Sequence, residues 1–491
     1  MTTDRLVDQP VGADSDGTRL IRGALVRVLG YATMVVLSVL STALVTRDLG
    51  VSRFGQYATV ISITSLVTTV TDSGMTNIAS REYALLDGAQ REQTLSTLLG
   101  LRIALTVIGT ALAMGFTVAA DYDRALMLGM LAASVATFPL IILHTLSIPL
   151  TNDLRLGTLS ILELARQTLW AGGLIALSLA GAGALPLLTT LLVANLLLIP
   201  ITARVTGMKL RASVQMRLAG WRDLMGITAL FSIATAVGYL YLYGTQLITS
   251  LATTPRQTGL FSLAFRVFLV TTIVPTLVGS AAVPLLARAG RDDQDRLSYV
   301  LRRYLELSIV AGFAVALILS AASGFLVPLI GGHRFQAAVP VAAIQAFALI
   351  GTFISSPCSY GLLSFHLYRR LLAANGTALV VMILITEILV HAHGARGAAI
   401  SSICGETTVA VLMLIGLLRH RPDCRPGAAF IPKVLLASAC AAPLALGPWL
   451  SALPRTVAVT VVYMTIVLLT RALPDEMIQA LPFFRMSKLR K

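Results

Sequence analysis

The sequence predicts an all-α polytopic membrane protein of about 14 transmembrane helices: two six-helix bundles related by a parallel repeat, plus an additional C-terminal helix pair. Three observations predict it. Of 491 residues, 56% are hydrophobic and only 12% charged, against roughly 25% charged residues in soluble domains, and the mean hydropathy is +0.82. Apolar runs of about 20 residues recur along the chain, each long enough to cross a hydrocarbon core roughly 30 Å thick. The runs are continuous, which excludes an outer-membrane barrel, whose strands alternate apolar and polar over about ten residues.

Charge, Gly and Pro divide the runs into spans. A tail at 1–21 carries Asp4, Asp8, Asp14 and Asp16 and no apolar core, so it reads as disordered and cytoplasmic rather than as a signal peptide. The first bundle, 22–204, holds spans near 24–45, 54–76, 94–119, 125–150, 158–180 and 184–203. A basic linker at 205–223 follows, with Lys209, Arg211, Arg217 and Arg222 placed to meet anionic lipid headgroups. The second bundle, 224–419, holds spans near 224–250, 258–286, 304–330, 337–365, 370–391 and 397–418. The additional pair within 420–472 lies near 432–450 and 454–472, and a basic tail covers 473–491.

The net charge of +15 would suggest nucleic acid as partner in a soluble protein; here its placement matters more, and no nucleic-acid partner is expected. With the N-terminus cytoplasmic, the outer loops hold seven basic residues: Arg47, Arg53, Arg124, Arg256, Arg334, Arg396 and Arg455. Arg102, Arg166 and Arg266 fall inside spans, and the other 28 of the 38 lie on the cytoplasmic side. This asymmetry predicts a protein of the cytoplasmic membrane with both termini inside.

Loops of at most about 20 residues leave no room for a domain that would hold donor and acceptor, so an enzyme is not expected. Cys358, Cys404, Cys424 and Cys440 lie within spans or on the cytoplasmic side and read as packing residues, not as a disulfide framework or a metal cluster. His391 and His393 lack a third ligand in reach, and no metal site is expected.

An internal repeat organises the spans. The segment Asp48-Leu-Gly-Val-Ser-Arg-Phe-Gly55-Gln-Tyr57 maps, with a shift of 204 residues, onto Ala252-Thr-Thr-Pro-Arg-Gln-Thr-Gly259-Leu-Phe261. Both are polar turns followed by Gly-x-aromatic at the mouth of a helix. The same shift sets Arg102 opposite Glu306. An even number of crossings separates the halves, so they share an orientation, and parallel repeats around a central pathway suit alternating access.

Several stretches resemble the polysaccharide transport (oligosaccharide repeat-unit flippase) family of the multidrug/oligosaccharidyl-lipid/polysaccharide (MOP) flippase superfamily. They are Arg47-Asp-Leu-Gly-Val-Ser-Arg-Phe-Gly-Gln-Tyr57 with Thr71-Asp72-Ser-Gly74 and Ala79-Ser-Arg81-Glu82; Thr258-Gly-Leu-Phe-Ser-Leu-Ala-Phe-Arg266 running to Ala282-Val-Pro284; and His393-Gly-Ala-Arg-Gly-Ala-Ala399. The resemblance covers about 20–420. It implies translocation of polyprenyl-pyrophosphate-linked oligosaccharide for polysaccharide biosynthesis, beside glycosyltransferases or a polymerase. Arg27-Val-Leu-Gly-Tyr-Ala32 is also similar to the opening helix of the lipid II flippases, in which a second arginine follows six residues on; here that position is Thr33. Cation-coupled multidrug efflux, known from another branch of the superfamily, is the further alternative.

A pyrophosphate headgroup needs cations, and arginine donates two parallel hydrogen bonds to phosphate oxygens. Arg27, Arg102 and Arg266 are the candidates, because charge inside a span usually faces a cavity or a partner. Two of them have an alternative, since Arg27 can snorkel to headgroups and Arg102 can pair with Glu306, whereas Arg266 has no acid within a helical turn. Arg166, not a candidate, is placed to pair with Glu163 at i to i+3. Glu387, Glu406 and Asp72 are candidates for coupling transport to H+ or Na+, Glu387 for its depth in span 11 away from any base, whereas Asp72 also fits a turn. No other cofactor is expected. Tyr239, Tyr241 and Tyr243 alternate, so no single helical face holds all three; they either line the cavity or anchor at the interface.

Overall fold

Gly50 breaks the first long apolar stretch: its φ of 68° and ψ of −179° divide α1 (Ala13–Asp72) into two spans joined at a kink. A left-handed φ is open to glycine at little steric cost, which is why the turn sits there. The structure, a computed structural model, describes residues 13–72, 83, 86, 88–153, 155–207, 218–276, 279, 294–447 and 449–472. The first bundle continues with α2 (Gly88–Ala119), α3 (Arg124–Leu146) extended by the short α4 (Ile148–Asn152), α5 (Leu156–Leu179) and α6 (Ala184–Thr206). Asp123 caps α3 by accepting the Leu126 amide, and α6 stops on Gly207, left-handed at φ 70°.

The second bundle is α7 (Leu218–Ala252), α8 (Pro255–Thr271), α9 (Gln294–Gly331), α10 (Val339–Gln345), α11 (Ala348–Ser364), α12 (Tyr368–His393) and α13 (Ala395–Leu418). Thr254 caps α8 and Pro255 occupies its first turn, where a missing amide costs nothing. A 3-10 turn, His333–Ala338, leads into α10, and the axis bends by 43° before α11. The additional pair is α14 (Phe430–Leu446) and α15 (Ala452–Leu469), docked on α9, where the Tyr463 hydroxyl donates to the Val310 carbonyl at 2.9 Å.

This is the expected all-α membrane architecture. Among the described residues, nine helices are long and apolar enough to cross a membrane, ten with the bent pair. One of the nine, Thr33–Asp72, turns at Gly50 into two of the expected spans, and α5, α7 and the shorter α14 are helices lying where the others are expected. Outward-facing Ile108, Leu112, Leu384 and Ile388 are exposed, as a lipid-facing surface requires.

The repeat is visible in the packing. In the first half α1 packs on α5, α2 on α3 and α3 on α6; in the second α7 packs on α12, α9 on α11 and α11 on α13. Where the halves meet, repeat-related backbones touch reciprocally. A Cβ at Gly55 would lie 2.3 Å from the Pro255 carbonyl oxygen, and one at Gly259 would lie 2.0 Å from that of Val51. Val51 and Pro255 are themselves related by the 204-residue shift, so each side makes the same contact with its counterpart, the signature of a local two-fold axis.

The other pairing drawn from that shift is not made. Arg102 lies against Asp72 and Thr145, while Glu306 binds Arg302 at 3.1 Å, Arg303 at 2.9 Å and the Gly427 amide at 3.4 Å. A two-fold axis brings equivalent residues together only where they lie on it, and these lie away from it.

Candidate functional site: a cavity between the halves

The end of the bundle away from the described chain ends is sealed. Besides the two glycines, Thr46 donates to the Ile330 carbonyl at 3.0 Å, Arg47 to that of Leu329 at 2.6 Å, and the hydroxyls of Tyr122 and Ser250 meet at 2.8 Å. Phe54 stands edge-on to Phe335 at 5.7 Å within an apolar core that also holds Tyr57, Phe261 and Phe265. Every one of these contacts joins one half to the other.

Toward the chain ends the halves part around a cavity of about 820 Å³, near the upper end of the range for small-molecule sites, roughly 300 to 1,000 Å³. The first half contributes Thr69, Asp72, His144, Ser147, Thr151 and Glu163; the second contributes Thr235, Tyr239, Tyr241, Thr276, Thr352, Ser355, Ser356, Ser359, Tyr360, Asn375 and Glu406. Hydroxyls, carboxylates and aromatic rings dominate. On α11 the polar positions Thr352, Ser355, Ser356 and Ser359 fall at spacings of three, four and seven, one face of a helix.

The charged groups of the first half are arranged as two pairs. Arg102 of α2 binds Asp72 at the end of α1, and Thr145 of α3 accepts from the same guanidinium at 2.9 Å. Arg166 of α5 binds Glu163 one turn earlier, the internal pair that their spacing predicts. His144 lies among these four groups. Arg102 is 1% exposed, so the structure places it inside the wall and not on the cavity surface, because Asp72 and Thr145 draw it there.

Glu406 of α13 accepts from the Thr352 hydroxyl at 2.8 Å and from the hydroxyl of Tyr241. It also borders a void of about 10 Å³ shared with Thr245, Gln345 and Ser402, roughly the smallest space that holds one water. Gln345 is 1% exposed, and neither atom of its amide has a hydrogen-bond partner among the described residues. Its place beside the α10 to α11 bend was not singled out by sequence, since a lone Gln at a helix end carries no pattern.

Arg266 of α8 lines a second, smaller cavity of about 80 Å³ nearer the sealed end, with Ser41, Tyr57, Trp170, Tyr243 and Gln246. Its guanidinium donates to the Ser38 hydroxyl of α1 at 3.1 Å, and no carboxylate pairs with it among the described residues. The tyrosine run divides accordingly: Tyr239 and Tyr241 face the large cavity and Tyr243 the small one. Glu387 is corrected in place. Its side chain is 60% exposed, 3.6 Å from His391 one turn on, and outside both cavities, because it projects from the outer face of α12. The side chain of Arg27, the linker at 208–217, the segments 73–82 and 280–293, and the tail at 473–491 lie outside the described residues.

Residues 44–340, more than half of the chain, match the polysaccharide biosynthesis protein family. The chain belongs to this family. No curated protein matches this polysaccharide biosynthesis protein in sequence. Its fold is shared by solved membrane transporters. It is similar to a lipid II flippase MurJ in an inward closed conformation, with a TM-score of 0.73 at 12% identity over 91% of this chain and 99% of that one. An inward-facing multidrug resistance MATE family transporter aligns with a TM-score of 0.58 at 13% identity, over 82% and 98%. A MOP superfamily transporter from Pyrococcus furiosus aligns with 0.59 at 12%, over 82% and 95%. At these identities the likeness is one of fold, and within it this polysaccharide biosynthesis protein is a multi-pass membrane protein.

Proposed function

We propose that this protein is a flippase that carries polyprenyl-pyrophosphate-linked oligosaccharide across the cytoplasmic membrane by alternating access. The observation that carries the reading is the cavity of about 820 Å³ between twin halves, closed at one end and walled by hydroxyls, carboxylates and tyrosines. Such a wall exchanges hydrogen bonds with the hydroxyls of a glycan as water does, which lets a polar headgroup leave water while its polyprenyl tail stays in lipid. The family of the chain fits a place beside glycosyltransferases and a polymerase. Both termini are cytoplasmic in this reading, which follows the distribution of arginine, so the cavity receives substrate from the side of synthesis.

Arg266 is the pyrophosphate contact. It stands at the depth where the halves meet, it is without a carboxylate partner among the described residues, and hydroxyls and an indole surround it. Arg266→Ala abolishes transport while the protein stays in the membrane, and Arg266→Lys keeps part of it; equal activity of Ala variant and parent removes Arg266 from the site. In the cell, deletion of the gene leaves lipid-linked glycan on the inner leaflet, and normal surface polysaccharide in the deletant refutes the reading.

Glu406 is the coupling site, with the void it shares with Gln345 as the place for a bound cation or water. Transport in vesicles under an imposed proton or sodium gradient tests it: the rate responds to one gradient in the parent and to neither in Glu406→Gln. A second reading, cation-coupled drug efflux, is favoured by one observation, the carboxylates of Asp72, Glu163 and Glu406 on the cavity wall. A drug-susceptibility panel separates the two, since a flippase leaves susceptibility unaltered on overexpression. Lipid II is the alternative glycan-lipid, and cells depleted of their own lipid II flippase survive on this protein only under that alternative.

A further inference from the structure

We infer that the glycan carried by this protein is neutral or amine-bearing, and that Asp72 and Glu163 discriminate against sugars that bear carboxylates. The inference rests on the flippase reading and names its substrate class. Its basis is the orientation of the two ion pairs, which face the same way. In the first pair Asp72 is 34% exposed and Arg102 1%; in the second Glu163 is 41% exposed and Arg166 17%. Each guanidinium is turned into the wall, Arg102 held there by Thr145, and each carboxylate is turned to the cavity that both acids line.

A ligand in that cavity therefore meets the acidic face of both pairs. A carboxylate accepts several donors at once, so each acid takes sugar hydroxyls or an ammonium in addition to its arginine. A uronic acid instead brings like charge against like charge, with the compensating arginines behind the acids and out of reach. Unfavourable juxtaposition of this kind is a common source of selectivity. Across the cavity, Thr352, Ser355, Ser359 and Asn375 are neutral and offer an acidic sugar no cation. His144 is the one group among the described lining residues that can carry positive charge, and it sits between the two pairs.

The test uses the full-length protein in liposomes with three synthetic polyprenyl-pyrophosphate disaccharides that differ at one substituent: a hydroxymethyl group, an amine or a carboxylate. The readout is the rate at which each disaccharide becomes accessible to a membrane-impermeant oxidant. The expected result is that the neutral and amine substrates cross at rates within about threefold of each other and the uronate at least tenfold more slowly. Glu163→Gln, which leaves Arg166 facing an uncharged amide, is expected to raise the ratio of uronate to neutral rate at least threefold. If the uronate crosses as fast as the neutral substrate, the inference fails and the flippase reading stands. If none of the three crosses faster than in protein-free liposomes, the flippase reading fails and the inference falls with it. The comparison of substrates on the parent protein decides the question even where the Gln variant does not fold.

Discussion

Asp72 and Arg102 illustrate what single residues contribute. A guanidinium with 1% exposure is tolerable inside a membrane protein only with its carboxylate in place. Asp72→Ala therefore costs about 3 kcal/mol, the lower end of what removal of one partner of a buried pair costs. Asp72→Asn combined with Arg102→Met costs less than Asp72→Ala alone, because no orphaned charge remains. Thermal unfolding in detergent measures both; a double variant less stable than the single one refutes the account. The sequence marked Arg102 as an intramembrane charge needing a partner but not which partner, since Asp72 lies 30 residues away on another helix. Glu163 with Arg166 was legible because its two members share one helical turn.

At the scale of elements, the spans were legible and the broken ones less so. Continuous apolar runs fix where a helix crosses, whereas the bend between α10 and α11 depends on tertiary packing that no run of residues encodes. The polar face of α11 was readable in principle, from the spacing of Thr352, Ser355, Ser356 and Ser359, yet hydroxyls inside an apolar run blend into it on any hydropathy measure. The α1 and α8 contact gives the prediction at this scale. With the Val51 carbonyl 2.0 Å from where a Cβ would stand, Gly259→Ala has to push the two helices apart, at a cost of about 1 to 3 kcal/mol typical of overpacking. In a background without native cysteines, a cysteine at Thr258, buried in the parent, becomes reactive to a membrane-impermeant thiol reagent in Gly259→Ala. Unchanged protection shows that the seal does not depend on this contact.

For the whole molecule, the sealed end and the cavity are two faces of one geometry, because the halves touch at one end and part at the other. Transport by rocking requires the sealed end to open in every cycle. Cysteines at Thr46 and Ile330, where a hydroxyl and a carbonyl now lie 3.0 Å apart, are expected to arrest transport when joined by a short thiol crosslinker. A cleavable crosslinker restores transport on reduction, and transport that persists after complete crosslinking contradicts the rocking mechanism. The overall orientation, by contrast, was drawn from arginine counts, a property of loops and not of packing, so it stands apart from everything the helices determine.

The reciprocal touch of Gly55 and Gly259 has the geometry of a homodimer joint. A contact that is its own counterpart asks for one set of residues, not two, and a six-span polypeptide paired with an identical copy in the same bilayer orientation makes it twice. Duplication and fusion of such a gene would preserve the join from the first generation, and only afterwards would the two copies be free to diverge, one toward the acids beside His144 and the other toward Glu406.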